Sequence, residues 1–240
     1  AVTVLASSTD RTSITGIQIG ASSFYDCLVT ITGTGVLRVT STVAGGSASG
    51  YFSGSWSPDF INRGLVEVGA RGQATGLTTW DAGPWLFENT GTFRVPSSEG
   101  DARGVFLANG GTFRNTGEFV VSGRSSATAV TLNGFDSSFY NTGVVRASDG
   151  GPGSESIAVL YSSTFGTSDT FINAGRLEGD YALRVTPYVD FGGAQLFTNA
   201  GVMAGKVSMG SASSQLVNSG AIQGVVSLDD FSGALRMRAN

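Results

Sequence analysis

The chain's three tryptophans lie beside aspartates in two short segments of the sequence. Trp56 precedes Asp59 by three residues, and Trp80 and Trp85 flank Asp81. A flat indole ring can pack against the apolar face of a sugar, and a carboxylate can accept hydrogen bonds from sugar hydroxyls. These five residues therefore form a candidate carbohydrate-binding site. The competing interpretation is that the tryptophans only fill or cap a hydrophobic core.

The residue types also limit the catalytic chemistry that the chain could perform. It contains no histidine, which excludes the usual Ser-His-Asp and Cys-His systems and all histidine metal sites. Carboxylate chemistry remains, and polysaccharide cleavage of this kind needs two acidic groups roughly 5–9.5 Å apart. Asp59 and Asp81 are the candidate pair, but the acidic residues are otherwise scattered along the chain. We therefore expect no catalytic residue, no metal and no cofactor.

Composition excludes several classes of partner. The 240 residues carry a net charge of −4, and the basic residues are nearly all isolated arginines, so no nucleic-acid surface is expected. No stretch approaches the roughly 18 apolar residues that span a bilayer, so we expect no membrane insertion of this chain. The single cysteine, Cys27, forms no disulfide framework and is interpreted as a small buried hydrophobe.

A nine-residue phrase recurs through the sequence. It is written FENTGTFRV from Phe87 and FRNTGEFVV from Phe113. The asparagines of its copies are Asn62, Asn89, Asn115, Asn141, Asn173, Asn199 and Asn218, separated by 27, 26, 26, 32, 26 and 19 residues. A repeat with this period is typical of a solenoid, in which each repeat forms one structural unit.

The pattern within one copy predicts β-strands. Phe87, Asn89, Gly91 and Phe93 share one parity, which is the strand period of two, and no helical spacing of apolar residues appears. Each copy is interpreted as strand, tight bend, strand, and the residues between copies supply a third strand. The prediction is an all-β fold, a single right-handed parallel β-helix of about 26 residues per coil with three short strands in each. It would span residues 1–240 as one domain, with a less regular first coil in 1–30 and repeated coils in 31–240.

In such a stack, equivalent residues lie above one another. The phenylalanines at 60, 87, 113, 139, 171 and 197 should form an internal aromatic ladder, and the asparagines a ladder of side-chain amides at one bend. A weaker copy, ITGTGVLRV, places Gly33 in the asparagine position. Outside the core, the same alignment sets Glu67 beside Arg94 and Arg146 beside Glu178, as expected for in-register strands.

The F-x-N-x-G phrase resembles the repeats of bacterial β-helical surface and secreted proteins, especially autotransporter passengers and large adhesins. The resemblance covers about residues 31–228. It implies a secreted or cell-surface location and a non-catalytic structural or adhesive function, with a glycan or a host-cell surface as partner. The alternative is a polysaccharide-binding or polysaccharide-cleaving β-helix protein (a lyase, a hydrolase or a tailspike-like protein) that uses the turn carboxylates and tryptophans.

The last residues of the chain, VVSLDDFSGALRMRAN, still alternate between apolar and polar side chains. An uncapped coil offers unpaired strand edges, which pair readily with other strands. We therefore expect the chain to be a segment of a longer protein, or to associate with itself through an open end of the solenoid.

Overall fold

A computed structural model describes residues 3–10, 12–19, 27–53, 58–79, 86–108, 110–134, 137–162, 170–186, 196–210, 215–227 and 234–237. The regular structure of these residues consists of β-strands. The first are β1 (Thr3–Ser8), β2 (Ser13–Ile19), β3 (Cys27–Ile31), β4 (Val36–Ser41), β5 (Ser47–Ser53), β6 (Pro58–Asn62), β7 (Leu65–Ala70), β8 (Ala74–Thr79) and β9 (Leu86–Asn89). The next are β10 (Thr92–Pro96), β11 (Asp101–Ala108), β12 (Gly111–Asn115), β13 (Glu118–Gly123), β14 (Ser126–Asn133), β15 (Ser137–Asn141), β16 (Val144–Asp149), β17 (Glu155–Ser162) and β18 (Thr170–Asn173). The last are β19 (Arg176–Val185), β20 (Leu196–Asn199), β21 (Val202–Met209), β22 (Gln215–Asn218), β23 (Ala221–Gln223), β24 (Val226–Ser227) and β25 (Ala234–Met237).

Each strand pairs in parallel with its counterpart one turn further along the chain. The third strands of successive turns form a nine-stranded sheet, from β3 through β12 to β25. The first and second strands of each turn belong to a 16-stranded sheet, which has two halves. We call these halves the first face (β1, β4, β7 and onward) and the second face (β2, β5, β8 and onward), and the nine-stranded sheet is the third face.

The two halves of the larger sheet are joined because β19 is long enough to serve both. Its first residues pair with β16 and its last residues pair with β17. The chain is therefore a parallel β-solenoid with a spacing of about 26 residues between turns, which confirms the all-β, three-stranded coil predicted from the repeat.

The interior contains the predicted aromatic ladder. Phe60, Phe87, Phe113, Phe139 and Phe171 are almost fully buried, and adjacent rings lie 4.8–5.8 Å apart with interplanar angles of 2–10°. These spacings are close to the distance between neighbouring strands, about 4.8 Å, so the backbone register itself sets the stack. The end of the column is less regular, because the ring of Phe197 is tilted by 47° from that of Phe171.

A shorter second column packs edge-on against the first. Phe93 and Phe119 stack at 4.7 Å, and Phe119 meets Phe113 at 82°. Opposite these rings the second face carries glycine: a Cβ on Gly104 would lie 2.5 Å from Cε1 of Phe119. Large side chains on one face are therefore matched by missing side chains on another, as close packing requires.

The asparagine ladder is continuous and buried. Each Nδ2 donates to the Oδ1 of the asparagine in the next turn, at 2.6–2.8 Å, from Asn62 to Asn218. Each of the asparagines within this run also donates to backbone carbonyl groups at the bend; Asn115, for example, bonds Gly117 O and Val144 O. The amides thus satisfy one another at a corner where water has no access.

The glycine two residues after each asparagine is required by close approach of successive turns. A Cβ on Gly91 would lie 2.2 Å from the carbonyl oxygen of Gly64 in the preceding turn. The same contact recurs at 2.1–2.3 Å along the whole column of bend glycines. No side chain fits there, so this position of the repeated phrase requires glycine.

The structure corrects the alignment of the weak first copy. Ile31, and not Gly33, pairs with Asn62, because the bend after β3 contains four residues where the later bends contain two. The ladder therefore begins at Asn62, whose Oδ1 accepts a hydrogen bond from the amide of Gly64 instead of from another asparagine.

The outward charges are in register as predicted, but only one of the two expected ion pairs forms. Arg146 contacts Glu178 at 3.2 Å. Glu67 lies beside Arg94 in register, yet it bonds Arg38 on the preceding turn at 2.9 Å. Arg94 instead bonds Glu118 at 3.0 Å. The sequence prediction did not extend this column back to the first copy, although Arg38 lies five residues after Gly33, as Glu67 does after Asn62, and is in register with Glu67.

Candidate functional site

The predicted carbohydrate site falls mostly outside the described residues. Trp56 belongs to residues 54–57, and Trp80, Asp81 and Trp85 belong to residues 80–85, which lie between the described ends of their flanking strands. Asp59 alone is described. It lies in β6 on the third face, in register with Leu28 of the preceding turn.

Asp59 has a structural role in the stack. Its Oδ1 accepts a hydrogen bond from the backbone amide of Leu86 at 3.1 Å, and Leu86 begins β9 of the next turn. The carboxylate therefore helps to hold the first residue of one strand against its neighbour. This contact accounts for an acidic residue at this position.

Other carboxylates also join successive turns. Asp101 accepts a hydrogen bond from Ser126 Oγ at 2.8 Å. Asp180 accepts hydrogen bonds from Ser156 N and Oγ at 2.9 and 2.8 Å, and its own amide donates to that hydroxyl. Partial burial opposes ionisation of Asp180, but the Ser156 amide and hydroxyl outweigh it and hold the pKa of Asp180 below its usual value.

A charged cluster lies on the second face near β19. Arg184 bonds both carboxylate oxygens of Glu155 and stacks 3.7 Å from the ring centre of Tyr181. The Nζ of Lys206 lies 5.2 Å from the centre of the same ring. Burial disfavours the charge of Arg184, but its hydrogen bonds to Glu155 and Tyr181 raise its pKa. Arg184 and Glu155 satisfy one another across two turns.

The outward side of the second face contains a groove across the first turns. Its strands depart from strict alternation, since two successive residues point inward: Gly76 and Leu77 in β8, and Gly104 and Val105 in β11. A strand with two successive inward residues bends locally. Two outward columns then flank the bend and enclose a groove of about 300 Å³.

The groove combines aromatic rings, hydroxyls and one arginine. Phe52, Thr78 and Phe106 are in register in one column, while Ser49, Thr75 and Arg103 are in register in the other. Both phenylalanines are half-buried and outward-facing, and Arg103 is exposed. The alternation of residues in the sequence does not predict this groove. Counted from Ala102, a period of two would turn Phe106 inward, and only the extra inward residue in the strand turns it outward.

Among the described residues, no group of three or more His, Cys, Asp or Glu side chains could hold a metal ion. No apolar helix of membrane-spanning length occurs in the described part of the chain.

Comparison of the chain with protein-family models, with curated proteins and with solved structures finds no match.

Proposed function

We propose that this chain is a non-catalytic, secreted or cell-surface segment that acts as a stiff support and presents an adhesive surface. The observation that carries the proposal is the contrast between its inward and outward columns. Inward positions repeat the same residue types from turn to turn, as in the aromatic and asparagine ladders. Outward positions change from turn to turn while the backbone stays in register.

One outward column of the second face illustrates the contrast. It runs through Ser49, Thr75, Arg103 and Thr128, which share neither charge nor size. Because loops and outward positions do not carry the packing, they can vary without loss of the fold. This arrangement suits a surface that is selected for what it contacts. The resemblance to bacterial β-helical adhesins points the same way.

Asp59 supports the same proposal over cleavage of a polysaccharide. Its carboxylate is engaged with the Leu86 amide of the next turn, which is a structural use of the one described member of the candidate acidic pair.

The test separates binding from cleavage. The purified chain is applied to a glycan array, and the bound polysaccharides are then incubated with it while new reducing ends are measured. We expect binding without new reducing ends. Turnover that disappears in Asp59→Asn or Asp81→Asn would instead establish a carboxylate-dependent polysaccharide enzyme.

A further inference from the structure

We infer that the groove on the second face binds an acidic saccharide, with Arg103 holding a sugar carboxylate and Phe52 and Phe106 supporting the sugar rings. The inference rests on the adhesive function proposed above and names its ligand class and its site. It concerns described residues only, and none of the lining residues that we name belongs to the predicted set of tryptophans and aspartates.

The charge of the groove favours an anion. The guanidinium of Arg103 makes no hydrogen bond or ion pair with any described residue, whereas Arg38, Arg94, Arg146 and Arg184 all contact glutamates. The described residues that line the groove include no acid. An arginine offers a planar pair of N–H donors that matches a carboxylate, so an exposed arginine beside these uncharged residues is complementary to that group.

The nearest acid in the sequence is already engaged on the other side. Asp101 lies two residues before Arg103 in β11 and accepts a hydrogen bond from Ser126 of β14. β14 is the neighbour of β11 away from β8, whereas the groove extends from β11 across β8 and β5. Asp101 therefore leaves the groove side of Arg103 available to an external carboxylate.

The aromatic rings favour a sugar over a simple anion. Phe52 and Phe106 occupy the same column two turns apart, with Thr78 between them. Two strand spacings amount to about 10 Å, a distance comparable to the length of a disaccharide unit. Flat rings at this spacing can each support the apolar face of one sugar. The hydroxyls of Ser49, Thr75 and Thr78 lie where they can exchange hydrogen bonds with sugar hydroxyls.

The volume of the groove agrees with this ligand class. About 300 Å³ is at the lower end of the range for ligand sites in proteins, roughly 300–1,000 Å³, so it admits a short stretch of a linear saccharide. The groove is partly open to solvent, which leaves room for the rest of such a chain outside it.

Isothermal titration of the full chain with a galacturonic acid oligosaccharide tests the inference. The matched probe is the same oligosaccharide with its carboxyl groups methyl-esterified, which keeps the rings and removes the charge. We expect the acid form to bind and the ester to bind at least about tenfold more weakly, because a charged hydrogen bond is lost. Equal binding of the two forms, or no binding of the acid form, would overturn the inference.

Variants then locate the site. Arg103→Gln and Phe106→Leu should each weaken binding of the acid form at least about tenfold. Arg63→Gln, which removes another exposed arginine with no partner among the described residues, and Thr128→Ala, next to Arg103 in its column, should bind as the unaltered chain does. Unchanged affinity in both groove variants would overturn the inference. Because Arg103 is exposed, we expect the Arg103→Gln chain to fold normally.

Two further outcomes distinguish this inference from the proposed function. If the glycan array shows only neutral ligands, with affinities that Arg103→Gln leaves unchanged, the groove assignment is wrong and the adhesive function stands. If sedimentation shows a dimer that Phe106→Leu dissociates, the groove is an interface between copies of this chain, and the saccharide assignment is wrong.

Discussion

At the scale of single residues, the bend of each turn combines two requirements that only a few residue types meet. A buried position needs a donor and an acceptor that both point along the stack, and an asparagine amide supplies both. Two residues later the chain passes so close to the preceding turn that a Cβ would collide with a backbone carbonyl. The repeated phrase therefore follows from the hydrogen-bonding and steric requirements of the bend, and each of these requirements can be tested separately.

Asn115→Ala should lower the free energy of unfolding by about 2–4 kcal/mol, because it removes the hydrogen bond from Asn89 Nδ2 and leaves Asn141 Oδ1 without its donor in a buried site. Asn218→Ala is the matched control, since Asn218 makes one inter-amide bond and no asparagine follows it in register. Chemical denaturation monitored by circular dichroism measures both. Equal losses in the two variants would contradict a cooperative ladder.

Gly91→Ala should cost about 3 kcal/mol or more, because the added Cβ lies 2.2 Å from the backbone oxygen of Gly64, which cannot move without shifting the turn. Gly69→Ala is the control on the neighbouring strand, where the nearest atom to the new Cβ is 3.6 Å away. The thermal midpoint of each variant gives the comparison. If both glycines tolerate alanine equally, successive turns are further apart than described.

At the scale of strands and bends, the sequence predicted the elements that repeat and missed those that break the repeat. The asparagine and phenylalanine columns, the three strands in each turn and the Arg146–Glu178 pair follow from fixed spacing. The first turn was misaligned because its bend is two residues longer, which moved Ile31 into the asparagine column. The groove was missed because an extra inward residue in each second strand reverses the parity of Phe106.

The candidate carbohydrate site shows a different limit of sequence reasoning. Composition identified Trp56, Trp80 and Trp85 as the only tryptophans, but residues in connecting segments have no period from which a position can be derived. Asp59 could be placed only because it belongs to a strand. Its contact with the Leu86 amide then assigned it a structural use that its proximity to a tryptophan did not suggest.

The contact between Asp180 and Ser156 makes the stability of β17 and β19 depend on pH. Because the folded-state pKa of Asp180 is lower than its unfolded value, the contact stabilises the fold above about pH 4 and loses its effect as the pH falls through the folded-state pKa. We expect the thermal midpoint to fall between pH 5 and pH 2.5. Asp180→Asn, whose amide oxygen can still accept from Ser156, should show a smaller fall. An equal fall in the variant would show that Asp180 does not contribute.

At the scale of the whole molecule, each turn contacts mainly the turns before and after it, so stability and stiffness are sums of nearly equal interfaces. The inward ladders make those interfaces uniform, and the outward columns are free to differ. This division is what the proposed function requires, namely a rigid scaffold that carries a surface adapted to a ligand. All of it depends on a single claim, that residues one repeat apart are direct neighbours in space.

Disulfide formation between engineered cysteines tests that claim most directly. In a Cys27→Ala chain, Thr112→Cys with Ser138→Cys joins two outward positions that are in register on β12 and β15. Thr112→Cys with Tyr140→Cys is the control, offset by two residues, with Cα atoms about 8 Å apart, beyond the reach of a disulfide. The account predicts rapid, nearly complete oxidation of the in-register pair and little of the offset pair, measured by mass spectrometry. Efficient oxidation of the offset pair, or none of the in-register pair, would contradict the parallel, in-register stack.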